Sequence, residues 1–147
     1  MAYRRIHNKG DWRHEELLAA GTITPGMLLE VTTSGTIRAH ATEGGCAERL
    51  IAVEDALQGQ TVDDDYSASD VVSMAVAAPG AVFNMLMKKG ETGSPGQEVV
   101  SAGDGTLILV DNISTGTTMA QVIGRIDASE AAFGALAADT LKAIRIV

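Results

Sequence analysis

The sequence predicts a mainly β protein: a compact β-barrel or β-sandwich-like domain with two short helices and an extended N-terminal arm. Three observations predict it. Every proline precedes a glycine, at Pro25-Gly26, Pro79-Gly80 and Pro95-Gly96, and proline then glycine suits the two central positions of a type II turn. Short apolar runs alternate with such turn signals, the pattern of many small strands. A segment also recurs: Pro25-Gly26 leads to Gly35-Thr36-Ile37, and Pro95-Gly96 to Gly105-Thr106-Leu107, 70 residues on. Thr22/Thr92, Thr24/Ser94, Ala52/Val122 and Val53/Ile123 keep that offset. Similarity at a fixed offset points to one β-unit used twice.

Taken in order, residues 1–10 read as extended or mobile. Asp11 is a plausible N-cap for a short helix over 12–20, with Gly21 behind it at C′. These first 20 residues form the arm, and residues 21–147 a single β-rich domain whose repeats span 22–56 and 92–126. After the turn at Pro25-Gly26 come strands over 27–31 and 36–40, joined at Thr33-Ser34-Gly35. A short buried strand follows at 50–53, then a polar, acidic loop over 54–70. Strands over 71–77 and 82–87, joined through Pro79-Gly80, give the strongest hairpin signal in the chain. The second repeat supplies strands near 98–101, 106–110 and 120–126. Ser129 can cap a second helix over 130–138, and 141–147 reads as a final strand.

Bulk properties narrow the function. At 147 residues the chain fits one domain able to bury roughly 70% of its unfolded surface. No apolar run reaches the roughly 18 residues of a membrane span, and the start lacks the apolar core of a secretory signal. Cys46 is the single cysteine, which excludes an internal disulfide framework and suits synthesis in a reducing cytoplasm. The net charge of −8 and the shortage of aromatics (one Trp, two Tyr, two Phe) argue against nucleic acid, which needs cations for phosphates and rings for bases. The charge is uneven. Arg4, Arg5, Lys9 and Arg13 against Asp11 give residues 1–14 a net +3, and the rest carries −11. A basic arm on an acidic body reads either as an arm that docks on something acidic or as a solvated, frayed terminus.

Catalytic and cofactor chemistry is not visible. Asp63-Asp64-Asp65 lacks the glycine turn and distal Glu of a calcium loop and fits a solvated acidic loop better. His7, His14, His40 and Cys46 do not fall at zinc spacings. No Ser sits in a nucleophile elbow, and Gly103-Asp104-Gly105 leads into a strand rather than the helix a phosphate loop needs. Met74, Met85 and Met87 read as strand filler. The expectation is a non-enzymatic protein with no cofactor and no metal.

The stretch from Gly21 through Pro25-Gly26 to Glu30, with Ser34 to His40, resembles the front of capsid cement (head decoration) proteins of tailed bacteriophages. Ile51 to Asp55, Thr61 to Asp64, Tyr66 to Val71 and Glu98 to Leu107 continue the likeness, which covers roughly residues 16–147. Ser69-Asp70 and Gly96-Gln97 depart from it, since Gly-Asp is expected at both. The resemblance implies a β-tulip-type domain and a structural virion protein, made in the bacterial cytoplasm, that binds the outside of the mature head. It would stabilise the shell against the pressure of packaged DNA. The implied partners are the major capsid protein and further copies of itself, with a homotrimer favoured; neither nucleic acid nor a membrane is a direct partner. Tyr3, Arg4, Arg5, His7, Lys9, Trp12 and Arg13 are the candidate contact residues, with Trp12 as a buried anchor. An alternative is a β-barrel ligand- or carbohydrate-binding accessory module.

Overall fold

The computed structural model describes residues 5–114 and 120–147. The chain is mainly β and includes a closed five-stranded barrel. Its strands are β1 (His7–Lys9), β2 (Trp12–Leu18), β3 (Leu28–Val31), β4 (Ile37–Ala39), β5 (Leu50–Ala52), β6 (Val71–Ala77), β7 (Val82–Met87), β8 (Glu98–Ser101), β9 (Leu107–Leu109), β10 (Gly124–Ile126) and β11 (Thr140–Ile146). One sheet has the order β2-β6-β5-β3-β4. The other has the order β1-β7-β11-β10-β8-β9, and a parallel pairing of β9 with β7 closes it.

Both expected helices are absent among the described residues, where the only helical pieces are 3-10 turns at Ala56–Gln58 and Val110–Asn112. Residues 12–18 instead form β2, paired along its whole length with β6. From Glu15 to Ala19 burial alternates residue by residue, the period of a strand. Long-range pairing overrides the local helix preference of Leu17 to Ala20. Residues 130–138 run alongside 90–93, where Phe133 and Gly93 exchange hydrogen bonds of 2.8 and 3.0 Å. Ser129 caps nothing: its N–H and hydroxyl both donate to Asp127.

The strands over 71–77 and 82–87 stand where the sequence puts them, but they are not a hairpin. β6 pairs with β2 and β5, and β7 with β1, β11 and β9. The Pro79-Gly80 turn carries the chain from one sheet to the other. It is held by Ala78 N–H to Asp11 O at 3.1 Å and Gly80 N–H to Ile146 O at 2.8 Å. Turn residues specify a reversal, but not which strands then pair.

The pairing registers show that the duplication takes in both sheets. Leu29 opposite Ala39 becomes Val99 opposite Leu109. Leu50 opposite Val76 becomes Gly124 opposite Ile146. The closing bridge Ala19–Ile37 becomes Met87–Leu107. Strands β2–β6 and β7–β11 are therefore two copies of one five-strand pattern. The sequence matches Ala52/Val122 and Val53/Ile123 are corrected by these registers. Gly26 N–H donates to Ala52 O, and Gly96 N–H to Ile126 O, both at 2.8 Å. The twin of Ala52 is thus Ile126, because the connection before β10 is four residues longer than the one before β5.

Among the described residues, two apolar clusters form the core. One lies within the first half and includes Ile23, Leu29, Ile37, Leu50, Ala52, Val72 and Met74. The other joins the halves: Leu28, Ile51 and Ala75 of the first pack with Phe83, Met85, Val99, Leu107 and Ile144 of the second. Strands β3, β5 and β6 are thus apolar on both faces, one turned into their own half and the other onto its neighbour.

A candidate interaction surface at the N-terminal strands

Arg5 onward is docked rather than loose. Ile6 is fully buried. Its N–H donates to Glu54 Oε2 at 3.0 Å and its carbonyl accepts from Asn84 N–H at 2.7 Å. Asn84 Nδ2 donates to Arg5 O at 2.8 Å. Residues 7–9 then pair with β7 as β1. Of the two readings of residues 1–10, extended or mobile, the extended one holds at His7–Lys9, and the mobile one fails from Ile6 onward. The reason is the free edge of β7, which binds the arm by ordinary strand addition.

That docking gathers part of the expected contact set. Trp12 is 37% exposed. Its ring centroid lies 5.5 Å from His7 and 6.1 Å from His14, and His7 also meets Phe83 at 5.2 Å. Trp12, His7 and Arg5 share the wall of a cavity of about 460 Å³ with Val53, Glu54 and Thr61. In the free chain Trp12 is therefore a partly exposed ring beside a hollow. Lys9 and Arg13 are exposed, and Arg13 is paired with Glu15 at 2.7 Å. Tyr3 and Arg4 lie outside the described residues. Sequence reasoning missed His14, which joins the ring cluster because strand β2 places it two residues beyond Trp12 on the same side. A helical reading of that segment hides this.

A groove of about 920 Å³ runs past Thr24, Pro25, Leu86 and Leu141 to Glu130 and Lys142. Its described walls contain no aromatic ring, the platform that a sugar face stacks on. Lys142 lies 3.7 Å from Glu130 Oε2 and 4.5 Å from the centre of the Phe133 ring. Among the described residues no three His, Cys, Asp or Glu side chains converge as a metal site, and no helix is long and apolar enough to cross a membrane. His40 is buried with Nδ1 2.7 Å from Ser101 Oγ and Nε2 3.0 Å from Cys46 O; it ties the two halves together. No protein-family model and no curated protein sequence matches the chain.

Proposed function

We propose that this chain is a capsid cement protein of the β-tulip type, binding the outer surface of a mature phage head and reinforcing it. The observation that carries the reading is the surface at β1 and β2. A partly exposed Trp12 between two imidazoles, beside a hollow that Arg5 also lines, suits a protein partner. An aromatic anchor with basic neighbours gives contact area, steering and register. The sequence resemblance supplies the partner class, the major capsid protein. Multivalent clamping through an oligomer, with a trimer favoured, would sum weak contacts per chain. The protein would then reside on the virion, and no enzymatic step is proposed.

Because Ile6 and β1 belong to the folded body, the test separates them from the contact residues. Deleting residues 1–5, and separately Trp12→Ala, should each lower occupancy on expanded, cement-free capsids in a sedimentation assay. Undiminished occupancy in both variants would overturn the reading.

A further inference from the structure

The contact between the two halves has two lobes. In the first, the Pro25-Gly26 turn lies on β7 and β11. Leu86 N–H donates to Gly26 O at 3.0 Å, and a Cβ on Gly26 would stand 2.5 Å from Leu141. In the second, the hairpin tip at Gly105 seats against β3 and β4. Leu28 N–H donates to Gly105 O at 2.8 Å, and a Cβ on Gly105 would lie 3.0 Å from Ala39 and 3.1 Å from Met27.

Every one of these surfaces has a twin, and the twins are open. Pro95-Gly96 repeats Pro25-Gly26, with φ of 89° at Gly96 against 95° at Gly26, yet no described residue lies within 4 Å of a Cβ on Gly96. Leu18 opposite Val71 repeats Leu86 opposite Leu141, and Leu18 and Val71 are each 51% exposed. Gly35 repeats Gly105, with φ of 80° against 85°, and its Cβ position is also clear. Gln97, Glu98 and Leu109 repeat Met27, Leu28 and Ala39, and they line a notch of about 200 Å³. Leu18, Val71 and Gly35 border a second hollow of about 400 Å³. Strand β2 also keeps an open edge there. Ala19 turns its backbone toward β6, bonding Asp70 O and Ser69 N–H, so alternation turns the Leu18 N–H away from it.

We infer that a second copy of this chain fills these surfaces, repeating between molecules the contact that joins the halves within one. The Pro95-Gly96 turn of one copy lies on Leu18 and Val71 of the next, whose Gly35 tip enters the notch at Gln97, Glu98 and Leu109. The arrangement is head-to-tail, so each copy offers one face as donor and a different face as acceptor. At its centre Glu98, Arg125 and Arg145 stand where the internal contact has Leu28, Ile51 and Ala75. The contact between molecules is therefore weaker than the internal one, reversible and sensitive to salt. The inference rests on the duplication alone and does not require the capsid reading.

The test uses isolated protein without capsids, so its result is separate from that of the cement proposal. In a Cys46→Ser background, chains with Leu18→Cys are mixed with chains carrying Pro95→Cys and treated with a short bis-maleimide. The mixture should yield cross-linked heterodimers, and the double variant a ladder of longer products. Replacing Leu18→Cys by Leu57→Cys, at a site 97% exposed and outside the contact, gives the background level. Cross-linking no greater than that background would overturn the inference. So would wild-type protein that sediments as a monomer at all concentrations, or a Leu18→Asp variant that associates as the wild type does. All altered positions are exposed, and a circular dichroism melt checks that each variant is folded.

Discussion

The two halves share a strand pattern but differ in the outer face of their sheets. In the first half Leu28, Ile51 and Ala75 are fully buried and belong to the cluster that joins the halves. At the twin positions the second half has Glu98, Arg125 and Arg145. Arg125 and Arg145 are cross-strand neighbours, a repulsive placement, and each has its own carboxylate. Arg125 pairs with Glu98 at 2.9 Å and Arg145 with Asp127 at 2.7 Å. One duplicated surface has become an internal interface, and the other has stayed compatible with water. The lesson is that apolar side chains on the outer face of one copy, against charged ones on the other, decide which face the chain covers with its own second half.

The sharpest way to break this comparison is to truncate the same position in both halves. Ile51→Ala should cost about 2–5 kcal/mol, as large-to-small changes in a closed core do. Its twin Arg125→Ala should cost less than about 1 kcal/mol, because it removes an exposed ion pair. Urea unfolding of both variants measures the difference, and equal losses would mean the halves are not packed as described.

Acid sharpens it next. Asp127 occupies the twin position of Val53: Val53 N–H donates to Ser73 O, and Asp127 N–H to Ala143 O. Burial pushes the Asp127 pKa up, but hydrogen bonds from Ser129 and Arg145 outweigh it and hold the carboxyl at about 2, against an ordinary 3.8. A carboxylate with a depressed pKa stabilises the fold above its unfolded value. That contribution, about 2 kcal/mol, disappears as pH falls from about 4 to 2. Asp127→Asn should flatten the acid limb of a stability–pH curve, and an unchanged limb would contradict the pairing.

The smallest expected effect compares the two turns. Gly26→Ala and Gly96→Ala both force a left-handed backbone on alanine. Only at Gly26 does the new methyl group meet Leu141 and the Asn84 carbonyl. Gly26→Ala should therefore cost at least about 1 kcal/mol more than Gly96→Ala, the extra being overpacking. Thermal melts that place the two variants together would deny that the Pro25-Gly26 turn is a contact.

Much of the strand content was legible in the sequence. The runs at 71–77, 82–87 and 98–101 form strands with those limits, because β-branched and apolar residues bounded by Pro-Gly or Lys-Gly signals leave little choice. The basic segment with Trp12 was legible as a group of residues, but its shape was not. Nothing local in Trp12 to Leu18 announces a strand, and its pairing partner, β6, follows more than fifty residues later.

By itself the sequence determined where the chain reverses and that one β-unit is used twice, since turn geometry and repetition are local properties. Tertiary structure alone decided which strands pair, that β6 and β7 part company at Pro79-Gly80, and that the arm from Ile6 onward lies on β7. Those outcomes depend on satisfying backbone hydrogen bonds and burying both faces of β3, β5 and β6. Both are set by residues distant in the chain, and no local pattern encodes them.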